Sequence, residues 1–125
     1  MNSSAARPLG FPKEVRLRRR SEFLSVQDRG QKFPAECLLA IALPNPSPDA
    51  PARAGFTVSS KVGNAVVRNR IRRRLRELYR QAKASFPKGV DVVFIARTSA
   101  ADADLPRLRR SFDRVAQDLR RRRLS

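Results

Sequence analysis

Residues 61–80 read KVGNAVVRNRIRRRLRELYR, and few folds tolerate such a segment. Seven of the thirteen residues from Arg68 to Arg80 are arginine, yet Val67, Ile71, Leu75 and Leu78 recur at spacings of four, four and three. That is the period of one helix face. Arg72, Arg76 and Arg80 fall roughly opposite this stripe, with Asn69 and Arg73 beside them and Arg68, Arg70 and Arg74 on the flanks. The chain must bury the stripe against a core while a wall of guanidinium groups faces something anionic. The planar fork of arginine matches phosphate and stays charged at any working pH.

The rest of the composition points the same way. The 125 residues suit one domain with a modest core. Twenty-eight Lys and Arg against eleven Asp and Glu leave a net charge of +17. Such an excess repels itself in the folded state, so a polyanion, above all nucleic acid, is the expected partner. No stretch is long enough to cross a bilayer, and an arginine helix embedded in a domain is poorly placed to lie on lipid. MNSSAARPLGF has no apolar signal core, and a cytoplasmic protein is expected. Without histidine the chain has no Ser–His–Asp triad and no His-ligated zinc. Cys37, the single cysteine, lies beside LLAIAL and reads as a buried strand thiol. The carboxylates are scattered. Asp102 and Asp104, the one tight pair, precede a helical pattern and suit a helix N-terminus better than a metal. No phosphate-binding glycine loop appears, and the protein alone does not read as a self-sufficient enzyme.

Along the chain, residues 1–13 read as a flexible leader and 121–125 as a basic tail, leaving a single domain over 14–120. Ser21 and Glu22 open a short helix ending near Gly30. Lys32 to Leu43 is extended and interrupted by Pro34, as an edge strand with a break or as two short strands. PNPSPDAP at 44–51 fits a hairpin connection better than a domain linker. RAGFTVS at 53–59 is a strand, 60–64 a loop, and 65–85 the arginine helix. VDVVFIAR at 90–97 is a central strand. A last helix starts near Asp104, with Leu105, Leu108, Phe112, Val115 and Leu119 on its stripe. This order implies an α+β domain, a mixed sheet with helices mainly on one face.

The string from Lys61 to Arg73, KVGNAVVRNRIRR, closely resembles the signature of the bacterial ribonuclease P protein subunit. Arg16-Leu17 with Glu22-Phe23 and Gly30, AGFTVS at 54–59 and DVVFIAR at 91–97 resemble the segments that flank it, so the likeness spans roughly 11–120. The resemblance implies four strands and three helices in a ribosomal protein S5 domain 2-like fold. It also implies a left-handed crossover around the arginine-rich helix, against the usual hand. It implies a protein that binds one large catalytic RNA and the single-stranded 5′ leader of precursor tRNA, in a Mg²⁺-dependent holoenzyme whose chemistry sits on the RNA. The isolated chain is expected to be a monomer.

By resemblance and by position off the stripe, the RNA-binding residues are Arg68, Asn69, Arg70, Arg72, Arg73 and Arg76, with Lys61 reaching phosphate from the loop. The leader is expected in a cleft between the sheet and the first helix, stacked on Phe23. Gln27 and Ile41 stand where the family often has further aromatics, which shifts stacking toward Phe11 or Phe33. Gly63 is read as permitting a tight backbone path. Other readings remain beside this one: a structural RNA-binding protein such as a ribosomal component, a DNA-binding module with the helix in a major groove, and a protein-only nuclease. The ordered string favours the first reading; arginines around most of the helix disfavour the major groove.

Overall fold

The structure is a computed structural model and describes residues 16, 17 and 19–122. Within them the chain runs α1 (Arg20–Arg29), β1 (Gln31–Pro34), β2 (Leu38–Pro44), β3 (Arg53–Thr57), α2 (Ala65–Ala82), β4 (Val90–Ala96) and α3 (Leu105–Arg121). Single 3₁₀ turns at Lys83–Ser85 and Thr98–Ala101 follow α2 and β4. The four strands form one sheet in the order β1-β2-β4-β3. β1 and β2 pair antiparallel, as do β2 and β4, whereas β3 runs parallel to β4. The result is the expected α+β architecture of three helices on a four-stranded mixed sheet.

Local chemistry sets the boundaries. Glu22, three residues beyond the cap of α1, accepts a hydrogen bond from the Arg19 amide at 3.0 Å. The helix therefore opens one residue before Ser21, on a carboxylate that satisfies an orphan donor. Pro34 ends β1, so Lys32–Leu43 resolves into two short strands, with the proline on the sheet edge. Asp104 caps α3 by accepting from the Arg107 amide at 3.0 Å. Asn45 opens the proline-rich loop with an Asx turn to the Ser47 amide.

That loop is not a hairpin. β4 lies between β2 and β3, so residues 45–52 cross the end of the sheet. The cause is the apolarity of β4: six of its seven residues are buried, which requires a strand flanked on both sides.

Alternation along the strands serves two unequal cores. Leu38, Ala40, Ala42, Ala54, Val92 and Phe94 face α2 and α3, and the rings of Phe94 and Phe112 stack there with centroids 4.9 Å apart. Phe86 and Tyr79 complete this aromatic centre. On the opposite face Ile41 and Val93 meet Val26 of α1 and Leu17. Two helices thus share one face and α1 takes the other. Cys37 is fully buried, its amide bonded to Ser111 Oγ at 3.0 Å.

β3 is a sheet edge, but an incompletely open one. Arg16 bridges Ala54 in parallel, and the Leu17 amide donates to the Ala54 carbonyl at 2.8 Å. This contact brings the chain before α1 alongside β3.

Candidate RNA interface

Asn64 starts α2. Its Oδ1 accepts from the Val67 amide at 3.0 Å and its carbonyl from the Arg68 amide at 2.9 Å. Gly63 precedes it without a positive φ. Its place is steric, since a Cβ there would lie 2.8 Å from Val67 Cγ1. The tight path expected at Gly63 is thus a matter of close approach to Val67 and not of a left-handed backbone. Ile71, Leu75, Leu78 and Tyr79 are buried against the sheet, and Val67 packs on the same core half-buried. Tyr79 sits fully inside, its hydroxyl donating to the Ala52 carbonyl at 2.8 Å. Burial, reinforced by the Asp91 charge, pushes the Tyr79 pKa well above the ordinary tyrosine range.

The arginines divide by what their side chains reach. Arg70 and Arg74 donate to the carbonyls of Ala101 and Ala103 at 3.3 and 3.4 Å, tying α2 to the segment before α3. Arg72 donates to Asn69 Oδ1 at 3.0 Å and to the Val58 carbonyl at 3.4 Å, leaning toward the end of β3. Arg73 and Arg76 are exposed, with no hydrogen-bond acceptor among the described residues. The Nε atoms of Arg68 and Arg70 are shielded from solvent and have no partner among the described residues. Glu77 is the one acid on α2 and is held by Arg80 and Gln81. Arg80 keeps the Glu77 carboxyl below the usual carboxylate range. The first three turns of the helix therefore carry an uncompensated cationic surface, with exposed Lys61 in the loop before them.

Elsewhere Glu22, Glu36, Asp91 and Asp118 each pair with an arginine. Arg53 makes a two-pronged contact with Asp91, Nε to Oδ1 at 2.9 Å and Nη2 to Oδ2 at 2.8 Å, and reaches Glu22 at 2.9 Å. Asn45 also donates to Asp91. This network joins α1, β3, β4 and the proline-rich loop. The partners are 31 to 46 residues apart, so no local pattern in the sequence announces it.

Phe23 projects from α1 onto β3 at Gly55, where an added Cβ would come within 2.5 Å of the ring. The half-buried ring separates two open depressions. One, of about 370 Å³, is lined by Arg16, Leu17, Phe23, Gly55, Phe56 and Arg76. The other, of about 420 Å³, is lined by Arg20, Phe23, Leu24, Gln27 and Thr57. Arg76 thus brings the arginine helix and the aromatic to one surface. Arg16 and Arg20 join them, from a basic run to which sequence reasoning gave no binding role.

Two expected positions do not lie there. Phe33 is 1% exposed and belongs to the α2–α3 core, because its place in the β1–β2 register turns it away from α1. Its ring has no solvent-exposed face on which a base could stack. Ile41 is 4% exposed beneath α1, so an aliphatic there is core. Phe11 lies outside the described residues.

The family model for ribonuclease P matches residues 11–120. The chain belongs to the ribonuclease P protein family. A ribonuclease P protein component from Gluconacetobacter diazotrophicus is 49% identical over 107 residues, covering 85% of each chain. That of Desulfovibrio desulfuricans is 42% identical over 109 residues, covering 87% of this chain and 80% of the relative. The ribonuclease P protein of Thermotoga maritima superposes with a TM-score of 0.73 at 29% identity, over 86% of this chain and 97% of that one. The Staphylococcus aureus protein gives 0.76 at 28% identity, over 85% and 95%. The chain is accordingly a ribonuclease P protein subunit, a protein of tRNA processing.

No group of three or more His, Cys, Asp or Glu able to hold a metal ion occurs among the described residues. Asp91, the buried carboxylate, is committed to Arg53 and Asn45. No helix among the described residues is long and apolar enough to cross a membrane.

Proposed function

We propose that this subunit binds the catalytic RNA of ribonuclease P through α2 and lays the 5′ leader of precursor tRNA across Phe23. It thereby promotes Mg²⁺-dependent hydrolysis at the leader junction. The observation that carries this reading is the depression shared by Phe23 and Arg76, where an aromatic ring and a guanidinium with no partner among the described residues meet on one open surface. Single-stranded nucleic acid is held by that combination: bases stack on rings and cations track the backbone.

In this reading Lys61, Arg68, Asn69, Arg72 and Arg73 face the catalytic RNA, and Arg76 stands where the two surfaces join. Arg70 contributes its charge while one Nη atom braces the 98–103 segment. Mg²⁺ is held mainly by RNA. The protein positions a substrate strand and offsets phosphate repulsion, and no side chain takes part in bond breaking. The protein acts in the cytoplasm and is monomeric when free.

The test is a 5′-processing assay with labelled precursor tRNA, the bacterial catalytic RNA at low Mg²⁺, and this protein added or withheld. Cleavage that needs both components supports the proposal. Cleavage by the protein alone would place the chemistry on its carboxylates. Tight RNA binding without faster cleavage would favour a structural RNA-binding role. Arg68→Ala with Arg72→Ala is expected to lower the salt dependence of RNA binding, by roughly 0.7 in log–log slope for each phosphate no longer neutralised.

A further inference from the structure

A second cationic surface lies at the other end of the sheet. Where β2 ends and β4 begins, Pro44, Lys88, Gly89, Leu119, Arg120 and Arg122 line an open depression of about 420 Å³. No Asp or Glu lines it. In this it differs from the surroundings of Arg53, Arg80, Arg107 and Arg114, which each hold a carboxylate, and resembles the two acid-free depressions beside Phe23.

Its two guanidinium groups are positioned by the fold. Arg120 Nη1 donates to the Ser85 carbonyl at 3.1 Å, and its other N–H groups meet no acceptor among the described residues. Arg122 Cζ stands 5.7 Å from the centroid of the Phe33 ring. Phe33 thus acts from the core, as a platform for an arginine. Lys88 is exposed on the turn before β4 and makes no hydrogen bond to a described residue. Cations fixed before binding lose less entropy when an anion arrives.

The site is separate from the arginine face of α2. Arg72 reaches Val58, and Arg70 and Arg74 reach Ala101 and Ala103, all beyond the C-terminal ends of β3 and β4. Lys88, Arg120 and Arg122 surround the start of β4. The seven residues of β4 separate the two by about 20 Å at the usual strand rise.

We propose that Lys88, Arg120 and Arg122 form a second RNA-binding site, which grips the phosphodiester backbone of the catalytic RNA about 20 Å from the α2 contact. The inference rests on the reading that this chain binds that RNA. A single helix face fixes one strand but leaves the protein free to pivot about it; a second backbone contact at the far end of the sheet sets orientation. Backbone contacts position and carry no sequence preference.

The test is filter binding of the full chain to ribonuclease P RNA across a salt series, with chemical protection of the RNA backbone. Lys88→Gln, Arg120→Gln and Arg122→Gln together are expected to lower the log–log slope by about 2, at 0.7–0.9 per phosphate. A fourfold rise in salt then costs this variant roughly 20-fold less affinity than it costs the unaltered protein. The backbone positions it exposes should differ from those exposed by Arg68→Ala with Arg72→Ala. Arg120→Lys with Arg122→Lys keeps the charge and should restore most of the slope. Lys88→Glu, at an exposed turn, decides the matter if the triple variant fails to fold, and should lower the slope by about 1. Unchanged slopes for the triple variant and Lys88→Glu, with a lowered slope for the Arg68 and Arg72 variant, would overturn the second site alone. Unchanged slopes for all of them would overturn the RNA-binding reading, and this proposal with it.

Discussion

The two faces of the sheet use the same strands for different ends. Toward α2 and α3, Phe94 is sealed between Phe56 and Phe112, with Tyr79 and Phe86 set edge-on around them. Toward α1 the buried core among the described residues is four, Leu17, Val26, Ile41 and Val93, with Phe23 packed on it half-buried. Two helices close the first face. One ten-residue helix spans the second and leaves depressions on both sides of Phe23. Among the described residues most of the buried core lies on one side of the sheet, and the side facing α1 leaves Leu24 exposed and Phe23 half-exposed. The Arg53–Asp91–Glu22 network holds α1 to the sheet where apolar contact is thin.

If this division holds, the same truncation on the two faces gives opposite phenotypes. Phe94→Ala should destabilise the fold by about 3–5 kcal/mol, the range for a fully buried aromatic, as read by denaturant unfolding. Phe23→Ala should cost about 1–2 kcal/mol of stability, because part of its ring is already in water. It should also weaken precursors carrying a leader by roughly 1–3 kcal/mol while leaving mature tRNA affinity nearly constant. Equal losses for precursor and mature tRNA would mean that Phe23 is ordinary core, and the comparison would fail.

A smaller effect probes the closed face through its polar group. Tyr79 is neutral in both folded and unfolded chains below about pH 10, the ordinary tyrosine value. Burial raises its pKa in the folded state, so above that pH the unfolded chain releases a proton that the folded chain retains. Stability from this residue is therefore complete below about pH 10 and declines as pH rises toward the folded-state value. Tyr79→Phe should remove that part of the alkaline loss. At neutral pH it should cost about 1–3 kcal/mol, because the buried Ala52 carbonyl loses its donor. Parallel stability–pH curves for the two proteins would show that Tyr79 is not sealed.

The legibility of these features followed their range in sequence. The α2 stripe, its start after Asn64 and the central character of β4 are periodic or contiguous, and the chain displays them directly. The side of the sheet taken by each helix is not written in any one segment. The strands are apolar on both faces, so their alternation does not say which face receives two helices. Phe33 and Phe23 look alike in sequence, each an aromatic near basic residues, and only the strand register sends Phe33 under α3. The partners of Asp91 lie 38 and 46 residues away and became visible only when the chain was folded. Arg76 was legible as a cation; its place beside Phe23 depended on where β3 puts Gly55.

Gly55 gives the finest test of the open face. A Cβ there would come within 2.5 Å of two atoms at the far end of the Phe23 ring. The obstacle is a side-chain tip on a half-open surface, so the ring can swing away without moving the strand. Gly55→Ala should change stability by less than about 1 kcal/mol, since alanine also restricts the unfolded chain. The ring would leave its seat on β3, and with it the shared surface with Arg76. Affinity for leader-bearing precursors should fall by part of the Phe23→Ala effect, and the double variant should lose little more than Phe23→Ala alone. Independent losses that add in full would show that Gly55 matters for β3 itself and not for seating the ring. Non-additive losses would establish that the missing side chain on β3 is what leaves the aromatic open to the leader.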